Sequence, residues 1–265
     1  MVKIGYVRND KLNTFDYMLI RSSILVVITI IQSRMSGVNI FDIKKEGRYW
    51  LFMRCLLGAI AMPCFFMGIK YLPSSKAFII GNIHPMLVSI AAIFFLNEVI
   101  TVYQLLAVIV AFIGVIVMNI TKTSSDTIET SDEMMIIGII LCSTSTSLAV
   151  FVTICIKKMN MHLHYMLNSC YFAYTLFGLS VCLVIFRPGS YNFSTYKFTD
   201  VVWFGLSGIS HYTGQTVTSM AYAKADASKV TPFTYSSGLL LMTVDIVLFH
   251  YHFSFTDVLG MGIVI

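Results

Sequence analysis

A few ionisable side chains stand inside or beside long apolar segments, where charge is normally excluded. Lys76 and Lys229 each follow a serine at the beginning of such a segment. An ammonium group there could attract an anionic solute, or it could extend toward lipid headgroups. Asp245 lies between Val244 and Ile246, deep within an apolar segment. A carboxyl group in that place could take up and release a proton during transport, or it could form a structural hydrogen bond to a neighbouring helix.

Uncharged hydrogen-bonding side chains form a second set of candidates. His84 precedes Pro85 in the middle of an apolar segment, where proline frees a backbone carbonyl that can line a cavity. A histidine packed in the core is the alternative. The other candidates lie in three apolar segments and would either line a solute pathway or bond one helix to another: Asn82, His211, Gln215, Thr234 and Tyr235.

The elements that carry these residues are predicted to be membrane-spanning helices. The chain of 265 residues is 57% apolar and 12% charged, with a mean hydropathy of +0.80, whereas soluble domains are about 45–50% apolar and about 25% charged. Its apolar blocks have the length that an α-helix needs to cross a bilayer. We therefore predict an all-α, multi-pass integral membrane protein of the plasma membrane or an endomembrane, with spans near residues 17–32, 49–69, 77–97, 102–120, 134–156, 166–186, 201–221 and 230–251.

Charge, cysteine and histidine patterns exclude several other classes. The net charge of +5 is scattered between apolar blocks, so no nucleic acid partner is expected. The six cysteines form no C-x-x-C pair, and the pairs His162/His164 and His250/His252 lack a third ligand, so neither a metal nor a cofactor is expected. H-E-x-x-H and G-x-S-x-G motifs are absent, which leaves a membrane-embedded enzyme as a weak alternative.

The two halves of the chain carry a weak internal repeat. Residues 73–87 align with 226–240, so that Ser75 meets Ser228 and Lys76 meets Lys229. A repeat unit of five helices enters the membrane from the opposite side in its second copy, as in many secondary transporters. We predict one repeat over residues 1–124 and another over 125–265. The first lacks its first helix, and the last helix, residues 255–265, is too short to cross a bilayer.

Several motifs resemble a known group of membrane proteins. The first half contains a pattern of a short loop, a helix with a central proline, an L-x-E at the end of that helix and a glycine-bearing helix. The segments that are similar to this pattern are, in the same order, residues 68–77, His84-Pro85, 95–98 and 108–117. Residues 222–232 resemble the matching part of a second half. The chain thus resembles EamA-like proteins of the drug/metabolite transporter superfamily, which have ten transmembrane helices and are related to solute carriers of nucleotide-sugar type.

This resemblance implies inverted five-helix repeats and secondary-active transport of small organic metabolites by alternating access. It also implies a structural role for Glu98. The chain departs from the family pattern at Tyr251, where the second half of the family pattern has an acidic residue. The expected partners are the lipid bilayer and a small solute that could be anionic, and a homodimer is possible. The main alternative is an inactive or regulatory membrane fragment of such a transporter.

Overall fold

The computed structural model describes residues 14–72, 74–123, 132–186 and 198–235, together with Leu259, Gly262 and Ile263. Over these residues the regular secondary structure is helical. In chain order the helices are α1 (Thr14–Ser36), α2 (Lys45–Tyr71), α3 (Ser74–Gly81), α4 (His84–Leu96), α5 (Val102–Thr123), α6 (Asp132–Asn160), α7 (Tyr165–Phe186), α8 (Phe198–Lys224) and α9 (Ala227–Val230), the last followed by a 3-10 turn over Thr231–Tyr235.

Five described segments are long and apolar enough to cross a bilayer, and they are helical apart from the turn between α3 and α4 in the third. They confirm the first, second, third, fifth and sixth predicted spans as Asp16–Ser36, Lys45–Tyr71, Ile79–Leu96, Glu133–Asn160 and Tyr165–Phe186. The predicted spans 102–120 and 201–221 also lie within helices, namely α5 and α8. Most of the predicted span 230–251 falls outside the described residues.

Many large apolar side chains of the described residues are exposed, while several polar side chains are buried. On α8, for example, Leu206, Ile209 and Val217 are exposed whereas Ser219 is fully buried. A protein surrounded by water shows the opposite distribution. Lipid tails, in contrast, solvate apolar side chains, while polar groups must find partners within the protein. The distribution agrees with an integral membrane protein.

The helices form two compact units, one of Met1–Phe66 with Cys155–Lys224 and one of Met67–Ile154 with Ala225–Ile265. Side chains of α1, α2, α7 and α8 make the main core of the first unit. Tyr17 is buried in it, and its ring makes edge-to-face contacts with Phe66 at 5.4 Å and with Phe204 at 5.1 Å. Such contacts fix the rotamers of large side chains and thereby hold α1, α2 and α8 in register.

In the second unit, Pro85 divides one predicted span into two helices. Proline has no N–H to donate to the carbonyl of Gly81, and its ring clashes with that carbonyl. Helix α3 therefore ends at Gly81, and the N–H groups of Asn82 and Ile83 bond to carbonyls three residues back, at 3.1 and 3.2 Å. The sequence predicted a continuous helix over 77–97, and the structure replaces it with α3, a tight turn and α4.

Glu98, also in the second unit, binds the beginning of α9. Its carboxylate accepts hydrogen bonds from the backbone N–H groups of Ala227 at 2.8 Å and Ser228 at 2.9 Å, and from the Ser228 hydroxyl at 2.7 Å. The first N–H groups of a helix have no partner within it, so an external acceptor stabilises that end. Glu98 thus connects residues that are far apart in the sequence, which is a structural role.

Replacing Glu98 with Gln should destabilise the protein. The amide keeps one acceptor oxygen but turns an NH₂ group toward donors, so about 1–3 kcal/mol of the free energy of unfolding should be lost. The measurement is the apparent Tm of the purified protein in detergent. Glu133→Gln, at an exposed position near the start of α6, is the matched control and should leave the Tm unchanged. Equal Tm values for both variants would contradict the structural role.

Candidate functional site

Two arginines are buried in membrane-spanning helices of the first unit. Arg21 on α1 is 7% exposed, and Arg54 on α2 is 1% exposed. Among the residues that the structure describes, neither makes an ion pair with a carboxylate. A buried guanidinium without a partner charge is expensive, and ionisable groups inside spans usually mark binding sites or pathways.

Arg54 is held by groups on α7 and α8. Its Nε donates to Oδ1 of Asn168 at 2.6 Å, and its Nη2 donates to Oε1 of Gln215 at 2.9 Å. The face of the guanidinium lies 3.8 Å from the centre of the Phe172 ring. Amide oxygens and a π face stabilise the cation only in part, because none of them carries a full negative charge.

Gly58, one turn after Arg54 on α2, makes space for this arrangement. A Cβ atom there would meet Nη1 of Arg54 and would lie 2.7 Å from Cε2 of Phe172. Glycine is therefore required because the guanidinium and the ring occupy the volume that a side chain would need.

Arg21 lies among aromatic side chains of the same core. Its Cζ atom is 5.8 Å from the centre of the Tyr17 ring and 5.4 Å from that of Phe66. The Tyr17 hydroxyl also interacts with the Arg21 side chain and forms a 2.8 Å hydrogen bond with Ser207. Beside Arg21 is a cavity of about 10 Å³, lined by Arg21, Ser22 and apolar side chains of α1, α2 and α7. Its volume is about enough for one water molecule.

His211 on α8 lies within electrostatic range of both Arg21 and Arg54. Its ring centre is 6.3 Å from that of Phe172, the ring against which Arg54 packs. One turn further along α8, Gln215 binds Arg54. The sequence predicted His211 and Gln215 as site residues, and the structure brings both into the surroundings of the two arginines.

Several polar atoms of this group have no hydrogen-bond partner in the described part of the chain. They are Nε of Arg21, Nη1 of Arg54, Nδ2 of Asn168 and Nε2 of His211. The arginine and asparagine atoms can only donate, and a histidine nitrogen can also donate when it carries the proton. We call Arg21, Arg54, Asn168 and His211 the cationic cluster. It can supply several N–H groups to an acceptor.

The rest of the polar face of α8 bonds to neighbouring helices. Ser207 contacts Tyr17, Thr216 shares a 3.0 Å hydrogen bond with Ser169, and the Ser219 carbonyl accepts a 2.7 Å bond from Asn160. Interhelical hydrogen bonds of this kind were the alternative role given to His211 and Gln215, and Gln215 makes one with Arg54. They fix the rotation of α8 and so direct His211 and Gln215 inward.

The remaining predicted residues that the structure describes lie in the second unit. Lys76 Nζ is 3.2 Å from Sδ of Met135, and His84 Nε2 is 3.2 Å from Oγ1 of Thr153. Lys229 is exposed and pairs with Asp226 at 2.7 Å, and this hydrogen bond and the negative charge of Asp226 raise the pKa of Lys229.

Asn82, Thr234 and Tyr235 also lie in the second unit. Asn82 occupies the turn between α3 and α4, and Thr234 donates to the carbonyl of Thr231 at 2.6 Å. The Tyr235 side chain is buried against Val108 and Ala111. Asp245 lies outside the described residues, so its predicted role remains a prediction.

Neither Arg21 nor Arg54 is among the site residues predicted from the sequence. Both lie inside predicted spans, and this position alone is a reason to suspect a functional role. What the sequence does not contain is the direction in which each side chain points, because that depends on contacts with α7 and α8.

Comparison with known proteins gives three findings. Residues 3–120 match the sequence model of the EamA-like transporter family. A probable transport protein of Saccharomyces cerevisiae is 20% identical over 274 residues, covering 97% of the chain and 77% of that protein. A membrane protein of the same yeast, described as uncharacterised, is 22% identical, covering 98% of the chain and 66% of that protein.

The fold also matches a solved crystal structure. The TM-score is 0.76 at 12% sequence identity, and the match covers 96% of the chain and 86% of the other protein. At this identity the likeness shows the fold alone.

Gly58→Ala should disturb the cationic cluster. The new methyl group would displace the Arg54 guanidinium and the Phe172 ring, which should lower the free energy of unfolding by about 1–3 kcal/mol. The measurement is again the apparent Tm in detergent. Gly214→Ala on α8 is the control, because a Cβ there meets nothing within 4 Å, and replacing a helical glycine should be neutral or stabilising by up to about 1 kcal/mol. A Gly58→Ala protein as stable as the parent would contradict the tight packing.

Proposed function

We propose that this chain is a secondary-active carrier of the EamA-like transporter family, because residues 3–120 match that family and the chain is similar to a probable transport protein. In this proposal it moves small organic metabolites across its membrane by alternating access. A central site would open to one side of the bilayer and then to the other as one repeat moves against its counterpart.

The observation that carries this proposal is the cationic cluster. A membrane helix bundle can be stable with apolar packing and small residues alone. Buried arginines and an asparagine with unused N–H groups cost desolvation free energy that apolar packing alone would avoid. Their burial in an integral membrane protein of a transporter family supports a role in binding a polar solute.

The proposed inverted repeat is supported by the positions of helix ends. In the alignment of residues 73–87 with 226–240, α2 corresponds to α8, and both contain 27 residues. Their last residues, Tyr71 and Lys224, are aligned with each other, and so are the first residues of α3 and α9. The two segments of the first compact unit end at Phe66 and at Lys224. In the same alignment Phe66 corresponds to Ser219, which lies close to the second of these ends.

The cationic cluster also fits the place of a substrate site in such a repeat. Arg21 and Arg54 belong to the first proposed repeat, whereas Asn168 and His211 belong to the second. In inverted-repeat carriers the solute binds where the two repeats meet. A site that draws residues from both repeats therefore supports the proposed carrier function.

Transport should be measurable in proteoliposomes that contain the purified protein. We expect saturable uptake of at least one class of labelled organic metabolite, driven by an imposed pH gradient. Asp245→Asn should abolish the component driven by the gradient, because an amide cannot take up and release a proton in place of the carboxyl group. Asp42→Asn, in an exposed loop, is the control. Flux no greater than in empty liposomes across the whole panel would overturn the proposed function.

The inverted repeat predicts that Lys76 and Lys229 face opposite sides of the membrane. Single cysteines at these two positions, in a background from which the six native cysteines have been replaced, should react with an impermeant maleimide from opposite faces of oriented vesicles. The reason is that an odd number of helices separates the equivalent positions. Labelling of both cysteines from the same face would contradict the inverted arrangement.

A further inference from the structure

In the described part of the chain, no carboxylate pairs with the arginines of the cationic cluster. Arg21 and Arg54 bring two positive charges, and the groups in contact with them are aromatic rings, a tyrosine hydroxyl and amide oxygens. In a low-dielectric interior an opposite charge stabilises a guanidinium far more than neutral dipoles do. Within the described residues, the two arginines thus lack the opposite charge that would stabilise them most.

The donor atoms without hydrogen-bond partners also favour an anion as the ligand. Nε of Arg21, Nη1 of Arg54 and Nδ2 of Asn168 are donors that cannot accept. Their binding partner must present acceptor oxygens, and a cation or a hydrocarbon would leave all three unsatisfied. Arginine is also the side chain whose planar fork matches carboxylate and phosphate groups.

We propose that the cationic cluster binds the oxyanion group, a carboxylate or a phosphate, of a small organic anion, with Arg21 and Arg54 as the charged ligands. This inference rests on the proposed function, since the anion is the solute that the carrier would move. His211, within range of both arginines, donates from Nε2 when that atom carries the proton. Phe172 keeps water from one face of the Arg54 guanidinium and so strengthens its interaction with the anion.

The surroundings of Arg21 are mainly apolar. The cavity beside its side chain is lined mainly by apolar groups from α1, α2 and α7, including Met18, Met62 and Leu176. At about 10 Å³ it holds about one water molecule. The proposal therefore concerns the oxyanion group alone.

Binding can be measured without transport, through the apparent Tm of the intact detergent-purified protein. The probes are butyrate and butyl phosphate as the two oxyanion types, inorganic phosphate, butyramide as a neutral analogue and butylamine as a cation. A ligand that binds the folded state raises the apparent Tm in a saturable way. We expect a rise with at least one oxyanion and none with butyramide or butylamine, and the two oxyanion series distinguish a carboxylate site from a phosphate site.

Substitutions then test the residues. Arg54→Gln and Arg21→Gln should each weaken oxyanion binding by roughly 10- to 100-fold, the effect of losing a hydrogen bond to a charged group. Arg54→Lys keeps the charge and should lie between the parent and Arg54→Gln, which covers the case in which Arg54→Gln does not fold. Arg48→Gln is the control on the same helix, because Arg48 is exposed and bonds only to the carbonyl of Ile43 in the described structure. It should bind like the parent.

The outcomes separate this inference from the proposed function. A Tm rise with butylamine or butyramide but not with any oxyanion would overturn the anion site while leaving transport intact. Oxyanion binding that Arg54→Lys and Arg21→Gln leave unchanged would remove the cluster as its location. Oxyanion binding that depends on both arginines, together with no flux in proteoliposomes, would support the site and overturn the carrier function.

Discussion

The burial of the Arg54 guanidinium between α2, α7 and α8 is the interaction on which the arrangement of the first unit depends. A charge in that position must be surrounded by dipoles or a π face, since water is excluded. Asn168 and Gln215 supply the dipoles and Phe172 supplies the face. Each of these contacts requires a particular rotation of its helix. Gly58 completes the set, because the cation and the ring occupy the space of its missing side chain.

The same requirement explains a polar stripe on α8. Ser207, His211, Gln215 and Ser219 follow one another at intervals of about one helical turn and so lie on one face of the helix. Leu206, Ile209 and Val217 are exposed. The interhelical bonds of Ser207 and Ser219 hold this stripe toward the core, so the composition of α8 follows from its position beside two buried cations.

Much of the fold follows from the sequence, because the length and apolarity of a span are local properties. The helices that contain the predicted spans 17–32 and 166–186 are examples, and their existence does not depend on their neighbours. The direction of a side chain is not local. Arg54 meets partners 114 and 161 positions away, so only the packed helices reveal that it points inward. The turn at Asn82 lies between these cases, since Pro85 was visible in the sequence but could have produced either a kink or a break.

Exposure to solvent decides which cations of this chain can bind a solute strongly. The Lys229 side chain is 59% exposed and already pairs with Asp226, and an exposed ion pair contributes little because water and salt screen it. Arg54, at 1% exposure, experiences almost no such screening. Its guanidinium cannot lose its proton under ordinary conditions, whereas a buried lysine readily does. A carrier that must keep a positive site inside an apolar bundle therefore favours arginine there, and lysine remains suited to the exposed ends of helices.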